Sequence, residues 1–287
     1  MIYLDGIMMY SQYFSPFLLP DEKGEILLVT SKGIYFLLSG QIYQLTNASI
    51  GTSPVGIEIG NVGFLTALGL NEGQPVHLKD GELHLPGAII KIKTVYPDAM
   101  NAFPPLKPDL IQKCTNLLHK NSKPRGLSSL CAPLLNPAEQ FELSTSTLCQ
   151  TAYPLLSELI QSLKTESKDS IEESVKGLIG MGVGLTPSAD DVILGLMYGL
   201  LRLVPYAVST KALTGAVAKY APVNTNAISA AYLQAVASGG SFARLDNILL
   251  SLAGDAPLDI EPILEIGSSS GSEMLLGLLI AAKIIYL

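Results

Sequence analysis

The stretch YPDAMNAFPPLKP, residues 96–108, divides the sequence in two. Its four prolines fix φ and remove backbone donors, so neither a strand ladder nor a helix interior runs through it. Before it, from about residue 25 to residue 95, the short β-prone runs ILLVT, IYFLL, QIYQL, VGIEI, PVHLK, ELHLP and IIKIKTV alternate with turn residues. That close spacing predicts an antiparallel meander or small barrel. After it the apolar period becomes helical. Helices are expected at 109–119, 138–163, 170–178, 188–204, 210–220, 226–238, 242–252, 259–266 and 271–285. No strand-like alternation interrupts them. The expected fold class is therefore α+β: an antiparallel β-rich, barrel-like domain over 1–104, then an all-α helical domain over 105–287.

Two turns set the strand register. Ser39-Gly40 pairs Phe36 with Tyr43, and Asp80-Gly81 pairs Lys79 with Glu82 as two-residue hairpin loops. The second turn also places His77 opposite His84, which reads as cross-strand packing, since two imidazoles without a carboxylate or thiolate make a poor metal site.

Apolar residues make up 48% of the 287-residue chain and charged residues 15%, so much of it is expected to be buried. The longest uncharged apolar runs, 192–201 and 274–282, fall short of the ~20 residues that a membrane helix needs. They are expected to be core helices. The opening MIYLDGIMMY has no basic n-region, which fits a cytoplasmic protein better than a secreted one. Cys114, Cys131 and Cys149 are odd in number and widely spaced, which suits reduced thiols. A net charge of −7, with only a loose basic group at 120–125, argues against nucleic acid as a partner. No P-loop and no G-x-S-x-G elbow is present.

The sharpest chemical feature is LIGMGVGLTPSADD, residues 178–191, leading into an apolar helix. Gly180, Gly182 and Gly184 allow the backbone conformations and close approach that an anion-binding loop uses. Thr186 or Ser188 can cap the helix, with Pro187 suited to its first turn. The unpaired N–H groups and the positive helix end make an anion site. The same residues also describe a plain helix start, with Asp190 and Asp191 complementing the dipole and Gly195 and Gly199 permitting close packing. Two adjacent acids beside an anion site favour the functional reading, because their repulsion calls for a cation such as Mg, a substrate amine or a proton between them. The segment IGSSSGSE, 266–273, repeats the pattern with Gly267, Ser268, Ser269, Ser270 and Gly271; its Ser270/Glu273 spacing is also that of a capping box. Asn224-Thr225-Asn226 precedes a third helix. Three polar helix starts in one helical domain can converge on one pocket. His119, at a helix end, reads as a dipole partner, and Arg125-Gly126 as a source of a cation for an anionic substrate.

Taken together, GMGVGLTPSADDVILGLMYGL, NTNAISAAYLQAVASGG and IGSSSGSEMLLGLL resemble the AllH-like family, over about residues 180–279. The family includes a subunit of oxamate carbamoyltransferase from anaerobic allantoin degradation, a branch of purine catabolism. The resemblance implies a hetero-oligomeric transferase that interconverts oxalurate plus phosphate with oxamate plus carbamoyl phosphate. The family pattern reads closer to GxGPGLTPSGDD, so Val183 stands for Pro and Ala189 for Gly, and Ser268 stands where His is frequent. On this reading Asp190, Asp191, Thr186 and Ser188 are the candidate catalytic groups, with the two aspartates as candidate metal ligands. Gly180, Gly182, Gly184, Thr225, Gly267, Ser268, Ser269, Ser270 and Gly271 would hold substrate or phosphate. The alternative is a non-catalytic subunit that binds a small anion or serves assembly.

Overall fold

The computed structural model of the chain describes residues 2–9, 21–47, 51–59, 68–95, 103–122, 126–136 and 146–287. They fall into two compact units, Met1–Ala99 with Ser238–Arg244, and Met100–Ala237 with Leu245–Leu287.

The first unit is a closed eight-stranded barrel. Its strands are β1 (Ile2–Met9), β2 (Asp21–Thr30), β3 (Gly33–Leu38), β4 (Gln41–Asn47), β5 (Gly56–Ile59), β6 (Pro75–Lys79), β7 (Glu82–Leu85) and β8 (Ala88–Val95). They follow one another around the barrel as β1-β5-β4-β3-β2-β6-β7-β8, and β8 closes onto β1. The two expected hairpins form in the expected register, with Phe36 opposite Tyr43, Lys79 opposite Glu82 and His77 opposite His84. Ser39, Gly40, Asp80 and Gly81 all have φ between 51° and 79°, the paired left-handed geometry that matches strand twist in a two-residue loop. Phe36 and Tyr43 stack at 5.7 Å between ring centroids and are buried, as are Ile34, Leu45, Ile57 and Leu83.

Two details of the barrel differ from the expected meander. Strand β1, formed by residues outside the run of alternating segments, is part of it. The pairs β1/β8 and β4/β5 are parallel, whereas the other six are antiparallel. Closure explains the even number: strand direction must return to itself around a ring, so reversals come in pairs. A closed ring also leaves no unpaired edge.

The second unit is helical: α1 (Pro108–Asn121), a 3₁₀ turn (Leu127–Leu130), α2 (Cys131–Leu135), α3 (Thr147–Thr165), α4 (Lys168–Leu178), α5 (Ser188–Leu203), α6 (Val208–Asn224), α7 (Ala227–Ala237), α8 (Ala243–Ala253, of which the first two residues belong to the first unit), α9 (Glu261–Leu264) and α10 (Ser270–Tyr286). The turn at 127–130 and α2 were not expected, because each is shorter than the window in which a helical period can be read. The helix expected over 138–163 starts at Thr147, with Ser146 extended as its N-cap, and residues 138–145 lie outside the described residues. The helix expected over 259–266 shrinks to Glu261–Leu264, with Asp259 Oδ1 accepting the Glu261 N–H at 3.0 Å.

At the centre lie α5 and α10, apolar nearly all round and buried almost throughout. Glycines let them touch. A Cβ on Gly195 would stand 1.9 Å from the Met274 carbonyl oxygen, and one on Gly277 would stand 2.0 Å from that of Val192. Thr186 meets Ser270 at one end, and Gly199 meets Ala281 further along, so the two helices run side by side in the same direction. Their positive ends therefore lie together. Among the described residues no helix is long and apolar enough to cross a membrane.

Candidate functional site

Helix α5 opens at Ser188, with Pro187 as its N-cap. The amides of Asp190 and Asp191 donate to the Pro187 carbonyl at 2.9 and 3.2 Å. Neither expected cap, Thr186 nor Ser188, caps the helix. The Thr186 hydroxyl is turned elsewhere: it donates to Asp191 Oδ2 at 3.0 Å and lies 3.0 Å from Ser270 Oγ. Ser188 is buried beneath the loop, where a Cβ on Gly182 would stand 2.5 Å from its nitrogen.

The loop's first glycine fixes where it goes. Gly180 has φ +85°, and a Cβ there would lie 2.0 Å from the Asn224 carbonyl oxygen, so the backbone passes directly against the end of α6. Its N–H donates to Asp190 Oδ1 at 2.6 Å, and the Met181 N–H donates to Leu178. Beyond that point, among the described residues, no N–H from Gly182 to Thr186 donates a hydrogen bond. Gly184 and Leu185 are exposed, and Val183 stands 88% exposed at the tip.

The two aspartates take separate partners. Asp190 is 1% exposed; besides Gly180 it accepts the hydroxyls of Thr225 at 2.5 Å and Ser229 at 2.6 Å. It thus joins the first polar block to the second, whose helix α7 is capped by Asn226 Oδ1 on the amides of Ile228 and Ser229 at 3.1 Å. Asp191 is 2% exposed and joins the first block to the third through Thr186 and Ser270. Burial pushes the Asp190 carboxyl up, against the pull of its three donors. Burial pushes Asp191 well above the usual carboxylate range; the nearby Glu273 charge adds to this, and the Ser270 and Thr186 hydroxyls oppose it.

In the third block, Gly267 has φ +62°, Ser268 is exposed, and Ser269 is the N-cap of α10. The expected capping box between Ser270 and Glu273 does not form. Glu273 instead accepts the Ser269 hydroxyl at 3.1 Å and the Leu127 N–H at 2.9 Å, since it lies four residues after the true cap. Gly271 packs against α9, where a Cβ would stand 1.7 Å from the Ile263 carbonyl oxygen.

The structure thus brings together Gly180, Thr186, Ser188, Asp190, Asp191, Thr225 and Ser270, and it adds Ser229, which the sequence did not single out, and Glu273, which the sequence offered only as a capping-box partner. A serine one turn into a helix and an acid in an apolar run carry no local signal beyond their polarity. Gly184 and Ser268 are exposed, and a Cβ on Gly184 would meet nothing within 4 Å. Among the described residues, no group of three or more His, Cys, Asp or Glu is placed to hold a metal ion. His77 meets the Asp21 carboxylate and lies 6.1 Å from His84, both rings partly exposed, as cross-strand packing requires. His119 lies in the last turn of α1. Arg125 lies outside the described residues.

Comparison with known proteins bears on this cluster. No solved structure matches the chain. The segment that does match carries all three polar helix starts: residues 178–282 fit the family model described as oxamate carbamoyltransferase subunit AllH.

Proposed function

We propose that the chain is a subunit of a carbamoyltransferase-type enzyme acting on a small anionic substrate, oxamate or oxalurate with carbamoyl phosphate or phosphate. The observation that carries this is the run of unpaired N–H groups from Gly182 to Thr186 at the joined positive ends of α5 and α10. Preorganised donors of this kind stabilise phosphate, carboxylate and developing oxyanions. Thr186, Ser188 and Ser270 add hydroxyls. Asp191, held toward its neutral form, can orient a substrate NH₂ group, while Asp190 fixes the loop against Thr225 and Ser229. The match to a carbamoyltransferase subunit supports the reaction class and supports further subunits as partners.

A second reading has one observation of its own. Val183 at 88% and Val223 at 75% exposure flank Gly180 and Asn224, and exposed aliphatic side chains suit docking against another chain. On that reading the chain is a non-catalytic anion-binding or assembly subunit.

Thermal melts of the isolated chain with phosphate, carbamoyl phosphate and oxamate, against chloride at equal ionic strength, test the anion site. Stabilisation that rises with the logarithm of anion concentration is expected, about 2.7 kcal/mol at a hundredfold excess over Kd. No shift with any of the three would remove the reading.

A further inference from the structure

Helix α10 reads SGSEMLLGLLIAA from Ser270 to Ala282, and Glu273 is the one charged residue in that run. It is 0% exposed. Burying a carboxylate costs several kcal/mol unless its oxygens are satisfied, and an apolar residue in such a place is frequently neutral or stabilising. Glu273 does not serve as a helix cap. One carboxylate oxygen accepts the Leu127 N–H, 146 residues away in sequence, at 2.9 Å; the other accepts the Ser269 hydroxyl at 3.1 Å, while its own N–H donates to the Ser269 carbonyl at 3.0 Å. These hydrogen-bond partners are a backbone amide and a hydroxyl rather than a cation. A buried acid thus holds the N-cap of α10 and the start of the 3₁₀ turn in one fixed arrangement, one residue before Ser270, whose hydroxyl lies 3.0 Å from that of Thr186.

We propose that Glu273 is a positioning residue of the anion site: it fixes Ser269 of the third polar block and the Leu127 turn, and it touches no ligand itself. This rests on the anion-site reading above. Its charge is also felt by Asp191, where it adds to the effect of burial. Without the carboxylate, Ser269 would be free to turn its hydroxyl to water, and the Leu127 amide would be left buried without an acceptor.

The test is titration calorimetry with inorganic phosphate and with oxamate on the wild-type chain, Glu273→Leu and Glu273→Gln. Leucine removes both acceptors and suits the apolar helix, whereas glutamine keeps an acceptor for Leu127 and can still bond to Ser269. Glu273→Leu is expected to keep its far-UV circular dichroism and to raise Kd at least tenfold, and Glu273→Gln to restore Kd to within threefold of wild type. A folded Glu273→Leu that binds like wild type overturns the inference, as does a Glu273→Gln as weak as the leucine variant. Should Glu273→Leu fail to fold, Ser269→Ala decides: at least fivefold weaker binding is expected, and unchanged binding counts against the proposal. Wild-type protein that binds neither anion overturns the anion-site reading itself, a distinct outcome.

Discussion

Asp190 and Asp191 are neighbours with different work, and substitution should separate them. Asp190 accepts one buried donor, Ser229, and two half-buried ones, Gly180 and Thr225, so Asp190→Ala strands an amide and two hydroxyls, at about 1–3 kcal/mol for a buried group and less for a half-buried one. Asparagine keeps one acceptor, and its amide can donate to hydroxyls that reorient. Denaturant unfolding should therefore show Asp190→Ala losing roughly 3 kcal/mol or more and Asp190→Asn about 1 kcal/mol or less. Equal losses would mean that the three bonds do not hold the loop. Asp191 makes a pH prediction. Its folded-state carboxyl titrates well above the ordinary value of 3.8, as Asp190's does to a lesser degree. The folded state thus keeps a proton that the unfolded chain has lost. That stability is fully present below the unfolded value and is lost as pH rises through the raised one. Melting temperature should fall as pH rises from about 4 toward neutrality on this account, and Asp191→Asn should flatten the fall. An unchanged slope in Asp191→Asn would contradict the burial argument. Both aspartates were legible in the sequence, as acids beside a glycine loop. Which side chains pair with them was not: Ser229 lies 39 residues from Asp190 and Ser270 lies 84 from Thr186, distances that only the fold closes.

Helices α5 and α10 owe their contact to glycines, and the cost of altering one depends on what faces it. Gly195→Ala would place a Cβ 1.9 Å from the Met274 carbonyl oxygen, so the helices must part. That should cost about 2 kcal/mol or more, although alanine favours the helix by ~1 kcal/mol. Gly215, exposed within α6, meets nothing within 4 Å. Gly215→Ala should stabilise by up to about 1 kcal/mol. If both variants shift chemical denaturation in the same direction, the helix contact is not as close as described. The helices themselves were readable from apolar period and from Pro and Gly at their ends, most within two residues of where they lie. Ladder direction was not readable. The pairing of β4 with β5 and of β1 with β8 depends on the path of the chain between strands, whereas the hairpins at Asp80-Gly81 and Ser39-Gly40 carry their register in the turn itself.

At the scale of the whole molecule, the segment that matches a carbamoyltransferase subunit is the one whose three polar helix starts the fold joins, through Asp190 to Thr225 and through Thr186 to Ser270. The sequence raised that convergence as a possibility of helical packing, and the hydrogen bonds now give it partners. On the proposed reading, the amides from Gly182 to Thr186 receive a small anion. Amide chemical shifts of ¹⁵N-labelled protein, followed during titration with phosphate and with oxamate, address it directly. Saturable shifts are expected, largest at residues 182–186 and smaller at 268–270, with a common Kd that Thr186→Val raises at least tenfold. Amides at 182–186 that stay in place, while others move or none do, would contradict it.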